Sequence, residues 1–370
     1  MGWTGRVLLI SSNPGAQNTE RTIPMTNQTS QATISTIGID IGKNSFHVIG
    51  FDERGAIVLR QKLSRGQIAV RFANLPRCLV GMEACVGSHH LSRRLQALGH
   101  DVRIMPALYV KPYLKGQKND FRDAEAIAEA VQRPTMRFVQ TKTVEQLDLQ
   151  ALHRLRTRLV RQRTAVINQI RAFLLERGFA VRQGPNPLRR ALPAILAKPG
   201  DELSPRMIQM IDGLCNDWHY FDHRIDDLTG EIEALVKGDD ACQRLMTIPG
   251  VGPLTASAMV AAVGDGSAFR RGRDFGAWLG LVPRQMSTGD RTILGGISKR
   301  GNKHLRTLFI QGAWAVLIRS KNWHKYSFGG WLEAASKRLH PCVLVVALAN
   351  KLARIAWSVL SRGRTYEARL

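Results

Sequence analysis

One stretch of the chain reads Ile37-Gly-Ile-Asp-Ile-Gly-Lys-Asn-Ser-Phe-His-Val-Ile-Gly50. Two apolar runs flank a Gly-Lys turn, a pattern that is typical of two short β-strands. One acid, Asp40, interrupts the first run. A carboxylate among apolar neighbours is costly to bury unless a cation or hydrogen-bond donors accompany it. We therefore expect Asp40 to have a function.

The residues that follow continue as alternating strands and helices. Strand-like runs cover residues 56–61, 78–84 and 100–106, and helical periodicity covers residues 67–75 and 90–98. The order β-β-β-α-β-α-β predicts an α/β layer fold for residues 36–140 rather than a helical bundle. Glu83 ends one of these apolar strands and is a second carboxylate delivered by a buried element.

Two further acids begin the next predicted helix. Asp120 and Asp123 are three residues apart, so their side chains share one helix face. Alone, they could simply cap the helix or complement its dipole. Together with Asp40 and Glu83, they make an oxygen-only site suited to Mg²⁺, with Mn²⁺ as a substitute. Two such ions about 4 Å apart can polarise a phosphodiester and activate an attacking oxygen.

The composition points to a polyanionic partner. Lys and Arg total 53 of the 370 residues against 29 Asp and Glu, which gives a formal net charge of +24. Nucleic acid is the usual partner of so basic a chain, and a generally basic, solvated surface is the alternative. The apolar content of 44% is enough for two or three domains with their own cores.

Other patterns exclude several protein classes. The five cysteines are scattered without a Cys-x-x-Cys pair, which fits a reducing compartment and offers neither a disulfide framework nor a zinc site. No apolar run reaches the roughly 18 to 20 residues that span a bilayer, so we expect no membrane contact. Residues 1–35 are expected to be a disordered tail or an over-extended N-terminus, with Met25 as the natural start.

Residues 141–240 are predicted to form a helical hairpin that serves oligomerisation or RNA contact. The first helix, over residues 141–178, is rich in arginine and can follow a phosphate backbone; its candidate contacts are Arg154, Arg158 and Arg161. The alternative is that its arginines pair with acids of the second helix, whose apolar seam is Phe221, Ile225, Leu228, Ile232 and Leu235. The proline-broken segment 184–205 is expected to be loop and short helix.

Residues 241–370 contain two features that suit a phosphate. Ile248-Pro-Gly-Val-Gly252 joins two predicted helices, and its glycines, Gly250 and Gly252, let backbone N–H groups approach a DNA backbone. Ser287-Thr-Gly289 is a small polar turn among cations, where a hydroxyl could attack a phosphodiester. The alternative is a plain turn in a DNA-binding surface. The surrounding cations are Arg284, Arg291, Lys299, Arg300, Lys303 and Arg306.

These motifs resemble a known family. The acidic blocks at 38–43, 81–84 and 118–124 are similar to those of a RuvC-like nuclease domain of the D-E-D-D type. With the later motifs Gly280-Leu-Val-Pro-Arg284 and Ile297-Ser-Lys-Arg-Gly-Asn302, residues 36–362 resemble the insertion sequence 110 family of bacterial transposases, most closely its 1111 subgroup. The resemblance implies an RNase H/RuvC-like mixed-sheet domain (36–140), a helical coiled-coil hairpin (141–240) and a mainly α C-terminal transposase domain (241–370) with a helix-hairpin-helix-like element.

The resemblance also implies a function. The protein would be a site-specific DNA recombinase that excises and inserts its own element in the bacterial cytoplasm, at the nucleoid. Its partners would be double-stranded DNA of the element ends and target, a non-coding guide RNA, and copies of itself in a homodimer that assembles into a tetramer. The alternative is a RuvC-like metal-dependent nuclease or junction resolvase that uses water and forms no serine intermediate.

The site residues follow from the family's motifs. Asp40, Glu83, Asp120 and Asp123 would hold the metal, and a serine would attack the DNA. In the family this serine directly precedes a glycine, whereas here Thr288 precedes Gly289 and Ser287 lies one position earlier. We take Ser287 as the nucleophile because a primary hydroxyl attacks more freely than a secondary one, and Thr288 is the reserve candidate.

Overall fold

The computed structural model describes residues 33–117, 119–197, 202–319 and 322–367. Within these residues the chain forms a five-stranded sheet with helices, a pair of long helices, and a mainly helical C-terminal region that carries a β-hairpin. The expected N-terminal tail lies outside the described residues as far as residue 32.

The first part of the chain builds the mixed sheet that the sequence predicts. Its strands are β1 (Thr36–Ile41), β2 (Ser45–Phe51), β3 (Ile57–Ser64), β4 (Leu79–Glu83) and β5 (Asp101–Met105), in the spatial order β3-β2-β1-β4-β5. The β1–β2 and β2–β3 pairs are antiparallel, and the β1–β4 and β4–β5 pairs are parallel. Ile37, Ile39 and Val80 share one face of the central strands and are fully buried, so this face of the sheet is covered.

Four helices accompany the sheet. They are α1 (Arg65–Ala73), α2 (Ser88–Ala97), α3 (Ala107–Val110), which a 3₁₀ turn at Lys111–Tyr113 follows, and α4 (Asp120–Val131). Helix α4 packs on β1, β2 and β4. Gly38 and Gly81 are register partners on β1 and β4, and both face α4. A Cβ on Gly38 would lie 2.5 Å from Ala128 N, and one on Gly81 would lie 2.8 Å from Val131 Cβ. The missing side chains therefore let the helix touch the sheet.

The middle of the chain is an antiparallel pair of long helices, α5 (Val144–Leu175) and α7 (Pro205–Lys237). Two side-chain contacts fix their direction. Arg156 Nε donates to Thr229 Oγ1 at 2.7 Å, and Arg163 Nη1 donates to Asp222 Oδ1 at 2.9 Å. Because the later residue of α5 meets the earlier residue of α7, the helices run in opposite directions.

The apolar seam of α7 differs from the prediction at its end. Leu235, which the heptad pattern places on the seam, is 52% exposed, whereas Val236 is 2% exposed. Leu228, Ile232 and Val236 follow at steps of four residues and so share one face. The prediction for Leu235 was wrong because the seam keeps the step of four here instead of alternating three and four.

The segment between the long helices contains the short helix that the sequence predicted. Helix α6 (Pro185–Ala197) spans 13 residues and contains Pro193, and Pro205 is the first residue of α7. Proline costs no hydrogen bond in the first turn of a helix, because those N–H groups have no partner within the helix. Residues 185–197 are thus the short helix that the sequence predicted in this segment, and Leu188 and Leu192 on it are buried.

The C-terminal region is mainly helical, with one exposed hairpin among the described residues. Its helices are α8 (Asp240–Met246), α9 (Pro253–Val263), α10 (Gly272–Trp278), α11 (Lys303–Arg319), α12 (Gly329–Ser336), which a 3₁₀ turn at Trp323–Lys325 precedes, and α13 (Pro341–Arg362). The hairpin consists of β6 (Pro283–Thr288) and β7 (Arg291–Ile297). The sequence indicated only a turn here, because strands that bury neither face show no apolar alternation.

Helix α13 forms a central part of this region's core. Its 22 residues have a mean hydropathy of 1.7 over the most apolar window, so by length and composition alone it could cross a membrane. This differs from the sequence reading, which found no apolar run of that length. Half of the window is buried inside the protein, and α13 packs on α8, α10, α11 and α12, as expected for a core helix.

The long helices and the C-terminal region share a joint. Gln146 Nε2 and Gln150 Nε2, in the first turns of α5, donate to the carbonyl oxygens of Val260 and Ala261 at 3.3 and 2.7 Å. These contacts join the start of α5 to the end of α9. Helix α5 begins at Val144, directly after the residues of the sheet region. The start of α5 therefore lies between the sheet region and α9 of the C-terminal region.

Candidate active site

The sheet brings two of the four predicted acids to the same edge. Strands β1 and β4 are parallel neighbours, and their register pairs Ile39 with Met82. Asp40 and Glu83 are the next residues on each strand, so they lie at the same level at the carboxyl ends of these strands. Both are only partly exposed. The acid that interrupts the apolar run of β1 therefore lies where the sheet opens, which lets it be hydrated or bind a ligand.

Helix α4 brings the other two acids to this edge. Asn119 caps the helix, and its Oδ1 accepts a hydrogen bond from Phe121 N at 2.9 Å. The cap is therefore Asn119, and Asp120 and Asp123 keep their carboxylates for the site. Because Gly38 and Gly81 hold α4 on the sheet, its first turn lies at the ends of β1 and β4.

The electrostatics of Glu83 show how close the acids are. Burial raises the pKa of Glu83 above its ordinary value, and the negative charges of Asp40 and Asp123 raise that pKa further. Like charges held together cost energy unless a cation neutralises them. Oxygen donors of this kind suit a hard divalent cation. The charge cluster thus favours the binding of such a cation.

His47 belongs to the same cluster, although the sequence analysis missed it. Its Nδ1 lies 3.5 Å from Asp120 Oδ2 and 3.9 Å from Asp40 Oδ2. This nitrogen is buried and has no hydrogen-bond partner among the described residues. The three residues offer ligand atoms that all lie within 4.8 Å of one another. A buried, unsatisfied nitrogen between two carboxylates fits a bound metal ion, because the ion would satisfy all three groups.

Packing fixes the orientation of His47. Its ring meets the ring of Phe121 edge-on at a centroid distance of 4.8 Å. The guanidinium of Arg60 lies 4.4 Å from the centroid of the Phe121 ring. The hairpin register could have identified the residue. Counting outward from the turn at Gly42 pairs Asp40 with His47, and directly opposed residues of an antiparallel pair share a face of the sheet.

The predicted nucleophile lies on a separate element. Ser287 is exposed near the end of β6, and Gly289 turns the hairpin with a φ of +56°. Ser287 Oγ accepts a hydrogen bond from Gln285 Nε2 at 2.8 Å and lies 3.3 Å from Thr292 Oγ1. Every hydrogen-bond partner that the described residues give Ser287 thus belongs to its own hairpin. The structure brings the four acids together and leaves the serine on the hairpin surface.

Sequence comparisons identify the family of the chain. It is 45% identical over 334 residues to a probable family 20 transposase of Pseudomonas aeruginosa, a match that covers 90% of this chain and 98% of the relative. It is 44% identical over 338 residues to the transposase for insertion sequence element IS1111A of Coxiella burnetii, covering 91% and 92%. The chain belongs to the IS110/IS116/IS902 family of transposases.

One family match covers the sheet region together with α5, and the other covers part of the C-terminal region. Residues 37–178 match a family model for DEDD transposases of the IS110 type, which is described as a transposase. Residues 242–327 match the model described as the IS116/IS110/IS902 family transposase. The transposase for insertion sequence element IS1328 of Yersinia enterocolitica is also 41% identical over 90% of this chain and 98% of its own length. This transposase is therefore an enzyme that cleaves and rejoins DNA, and the DEDD class uses a divalent metal.

The cations that were predicted around Ser287 have different environments in this transposase. Arg284, Arg291, Lys299, Arg300 and Lys303 are exposed. Arg306 is only 8% exposed, and its Nη1 donates to the carbonyl oxygens of Leu279 and Arg300 at 2.8 and 2.9 Å. The prediction of a nucleic-acid contact is therefore wrong for Arg306, because its guanidinium is used inside the protein to hold the chain before α11.

The two turn glycines, Gly250 and Gly252, also have different environments. Gly250 has a φ of +81°, and a Cβ there would lie 2.5 Å from the carbonyl oxygen of Gly312 in α11. This glycine is explained by the close packing of its turn on α11. Gly252 is exposed, precedes α9, and has open space where a Cβ would point. Of the two, Gly252 is the one that leaves room for a phosphate.

The arginines of α5 fall into two groups, those exposed to solvent and those that contact α7. Arg154, Arg158 and Arg161 are exposed. Arg156 and Arg163 instead contact α7, as described above. Contacts with α7 are thus observed for Arg156 and Arg163, and a nucleic-acid contact of Arg154, Arg158 and Arg161 stays a prediction. Of these two contacts only the one between Arg163 and Asp222 pairs opposite charges, because Arg156 bonds to a neutral hydroxyl.

Proposed function

We propose that this transposase excises and inserts its element through a covalent serine intermediate. The hydroxyl of Ser287 attacks a DNA phosphate, so that an Oγ–P bond forms and the bond from phosphorus to the leaving deoxyribose oxygen breaks. The leaving oxygen takes up the proton that Oγ gives up. The proposal is supported by the presence, in one chain, of four acids at a sheet edge and an exposed hydroxyl among cations.

The acids prepare the phosphate for this attack. Asp40, Glu83, Asp120 and Asp123, together with His47, would hold Mg²⁺ or Mn²⁺, and the bound ion supplies neutralisation of the phosphate charge. The oxygen ligands and the unsatisfied Nδ1 of His47 support this assignment. Exposed cations beside the hairpin, Arg284 and Arg291 among them, bind the DNA backbone and stabilise the charged transition state.

The nucleophile reaches the acids from another copy of the chain. Ser287 lies on a hairpin that projects from the C-terminal region, and its recorded partners are Gln285 and Thr292 of that hairpin. We infer a homodimer that assembles into a tetramer, in which the long helices α5 and α7 provide contacts between copies. In this arrangement one subunit supplies the acids and another supplies the serine.

The remaining partners are nucleic acids. Double-stranded DNA of the element ends and target contacts the exposed cations and Gly252. A non-coding guide RNA of the element selects the target and contacts α5 through Arg154, Arg158 and Arg161. The similarity to the IS1111A transposase supports placement in the 1111 subgroup. We place the reaction in the bacterial cytoplasm, at the nucleoid.

The experiment that tests the serine step traps the intermediate. The protein is incubated with guide RNA, element-end DNA and Mg²⁺, then denatured and separated by gel electrophoresis. We expect DNA that remains attached to the wild-type chain and to Thr288→Ala, and no adduct with Ser287→Ala. The reverse pattern of the two variants would move the nucleophile to Thr288.

A second candidate function is metal-dependent cleavage by water, as in a RuvC-like junction resolvase. The DEDD match favours it, because the four acids can direct water without a serine. It predicts free DNA ends from the wild-type chain and undiminished cleavage by both hydroxyl variants. Recombination by a wild-type chain that never forms the adduct would decide for this second function.

A further inference from the structure

Two neighbouring cavities on the C-terminal region share a wall formed by Lys351 and Arg354 of α13. The first has a volume of about 460 Å³ and is also lined by Arg271 and Arg273 beside α10. The second has a volume of about 690 Å³ and lies between α13 and the base of the β6–β7 hairpin. The second cavity is therefore lined in part by the hairpin that carries Ser287.

The first cavity is strongly cationic. Arg271, Arg273, Lys351 and Arg354 line it, and no acid is among its described lining residues. Burial lowers the pKa of Lys351, and the positive charge of Arg354 lowers it further. The fold thus holds cations against one another, an arrangement that a bound anion stabilises.

The acid nearest in sequence does not offset this charge. Asp274 follows Arg273 directly, but it faces the other way and lies 4.0 Å from Arg137 Nη1 of the sheet domain. Arg271, Arg273 and Arg354 are exposed, so a phosphate can reach them. Cations that converge in a concave surface without an acid are the chemistry that recognises phosphodiesters.

The second cavity is mostly apolar. Its walls include Leu281, Ile297, Trp331, Val346 and Ala347. Such walls offer nothing to a phosphate, but they suit the apolar face of a nucleobase. The paired, stacked bases of a duplex cannot enter a side cavity, whereas an unpaired base next to its phosphate can.

We propose that the double cavity binds single-stranded nucleic acid, with phosphates against Arg271, Arg273, Lys351 and Arg354 and one unpaired base in the apolar cavity. The occupant is chosen by charge complementarity, because the apolar cavity shares its wall with a cluster of uncompensated cations. A duplex would use the cations and leave the apolar cavity empty. The inference goes beyond the proposed function and does not depend on the serine step.

The test measures binding by fluorescence anisotropy with the full chain and no divalent metal. The probes are labelled 20-mers of single-stranded DNA, single-stranded RNA and duplex DNA. We expect Arg273→Glu with Arg354→Glu to weaken single-strand binding about tenfold, because two phosphate contacts are lost. Val343 is 54% exposed and lines the apolar cavity, so Val343→Trp fills the cavity with little risk to folding. It should weaken single-strand binding about fivefold and leave duplex binding unchanged.

Matched variants control for charge and for the added indole. Arg206→Glu with Lys237→Glu makes the same charge change on exposed residues of α7. Val70→Trp adds an indole at a 65% exposed position of α1. Both controls should retain single-strand binding, and thermal unfolding should show that all four proteins are folded. The strand type that loses more affinity in Val343→Trp, DNA or RNA, identifies the natural source.

Three results would overturn the proposal. Val343→Trp could bind single strands as tightly as the wild type, or lose duplex and single-strand affinity equally. The α7 charge control could weaken single-strand binding as much as Arg273→Glu with Arg354→Glu does. A change in the oligomer mass of Val343→Trp by light scattering, with strand affinity unaltered, would instead make the cavity a contact between copies. Loss of Ser287 chemistry affects none of these readouts, so the two proposals fail separately.

Discussion

Burial raises the pKa of Glu83, and the negative charges of Asp40 and Asp123 beside it raise that pKa further. A divalent cation bound to these acids would stabilise the fold, since a ligand that binds only the folded state adds to the free energy of unfolding. His47 adds the one nitrogen of the cluster, held between Asp40 and Asp120.

The role of His47 is testable by metal binding. We expect His47→Asn to weaken binding of Mn²⁺ about tenfold, because an amide nitrogen offers no free lone pair in place of the imidazole Nδ1. Isothermal titration calorimetry on the protein without DNA measures this directly. His219→Asn, at an exposed position of α7, is the matched control and should bind Mn²⁺ like the wild type. Equal affinity in the two variants would reduce His47 to a packing partner of Phe121.

At the scale of single elements, helix α4 depends on two glycines of the sheet. Neither glycine has a turn to make, since both lie inside strands. Their value is the space that they leave, which lets the helix that carries Asp120 and Asp123 approach β1 and β4. The helix position, and with it half of the acid cluster, follows from the absence of two side chains.

We therefore expect Gly38→Ala to damage both stability and activity. The new methyl group would lie 2.5 Å from Ala128 N, so α4 must move. Overpacking of this kind costs about 1–3 kcal/mol of the free energy of unfolding, which chemical denaturation measures. DNA cleavage should fall further than stability, because two acids move with the helix.

Gly66→Ala is the matched control for this substitution. Gly66 lies in α1 with nothing near the position of a Cβ. Alanine favours the helix, so the free energy of unfolding should stay the same or rise by about 0.5–1 kcal/mol. If Gly38→Ala were as harmless as this control, the close fit of α4 on β1 would not position the acids.

At the scale of the whole molecule, a buried histidine, His153, and a half-buried one, His304, lie at the joint between the long helices and the C-terminal region. His153 Nε2 of α5 lies 3.0 Å from Ser257 Oγ of α9. The ring centroids of His153 and of His304 on α11 are 5.5 Å apart. Burial, then His304 and Arg156, lower the pKa of His153 to about 4 from its ordinary 6.5. Both histidines are therefore neutral in the folded protein at physiological pH.

This joint predicts a loss of stability in acid. Between pH 6.5 and about 4 the unfolded chain binds a proton at His153 that the folded chain does not, so the free energy of unfolding falls as the pH falls through that range. The loss is on the order of 3 kcal/mol from His153. Above pH 6.5 the joint adds no pH dependence. Denaturant titrations at a series of pH values measure the slope.

His153→Gln keeps a side chain that can bond to Ser257 but cannot titrate. It should flatten the slope in part, because His89, whose pKa burial also lowers to about 4, retains its own dependence. If His153→Gln left the pH dependence of the free energy of unfolding unchanged, protonation of His153 would not contribute to it.

The separation of Ser287 from the acids predicts that two inactive proteins complement each other. Asp40→Asn and Ser287→Ala should each be inactive alone. When the two variants are mixed and exchange subunits, some assemblies pair the intact acids of one subunit with the intact serine of another. If subunits mix at random in a symmetric assembly, excision should return to at least about a tenth of the wild-type rate. No recovery after proven subunit exchange would place both groups of one site in the same chain.

Local pattern was enough for much of this protein. The apolar runs of β1, β2, β4 and β5, the acids that interrupt or end them, and the long periodic helices follow from the order of side chains. Where the pattern misled, it was locally ambiguous. Pro185 and Pro205 begin helices although proline is also a helix breaker, and an exposed hairpin such as β6–β7 has no alternation to detect.

The sequence alone determined the mixed sheet, its four acids, the basic character and the resemblance to a transposase family, because each depends on neighbours in the chain. Tertiary structure decided what each of these residues faces. It placed His47 between Asp40 and Asp120, buried Arg306 against carbonyl oxygens, and put Lys351 and Arg354 on the wall of two cavities. Such contacts join residues far apart in sequence, and only the packing of the sheet and helices sets their distances.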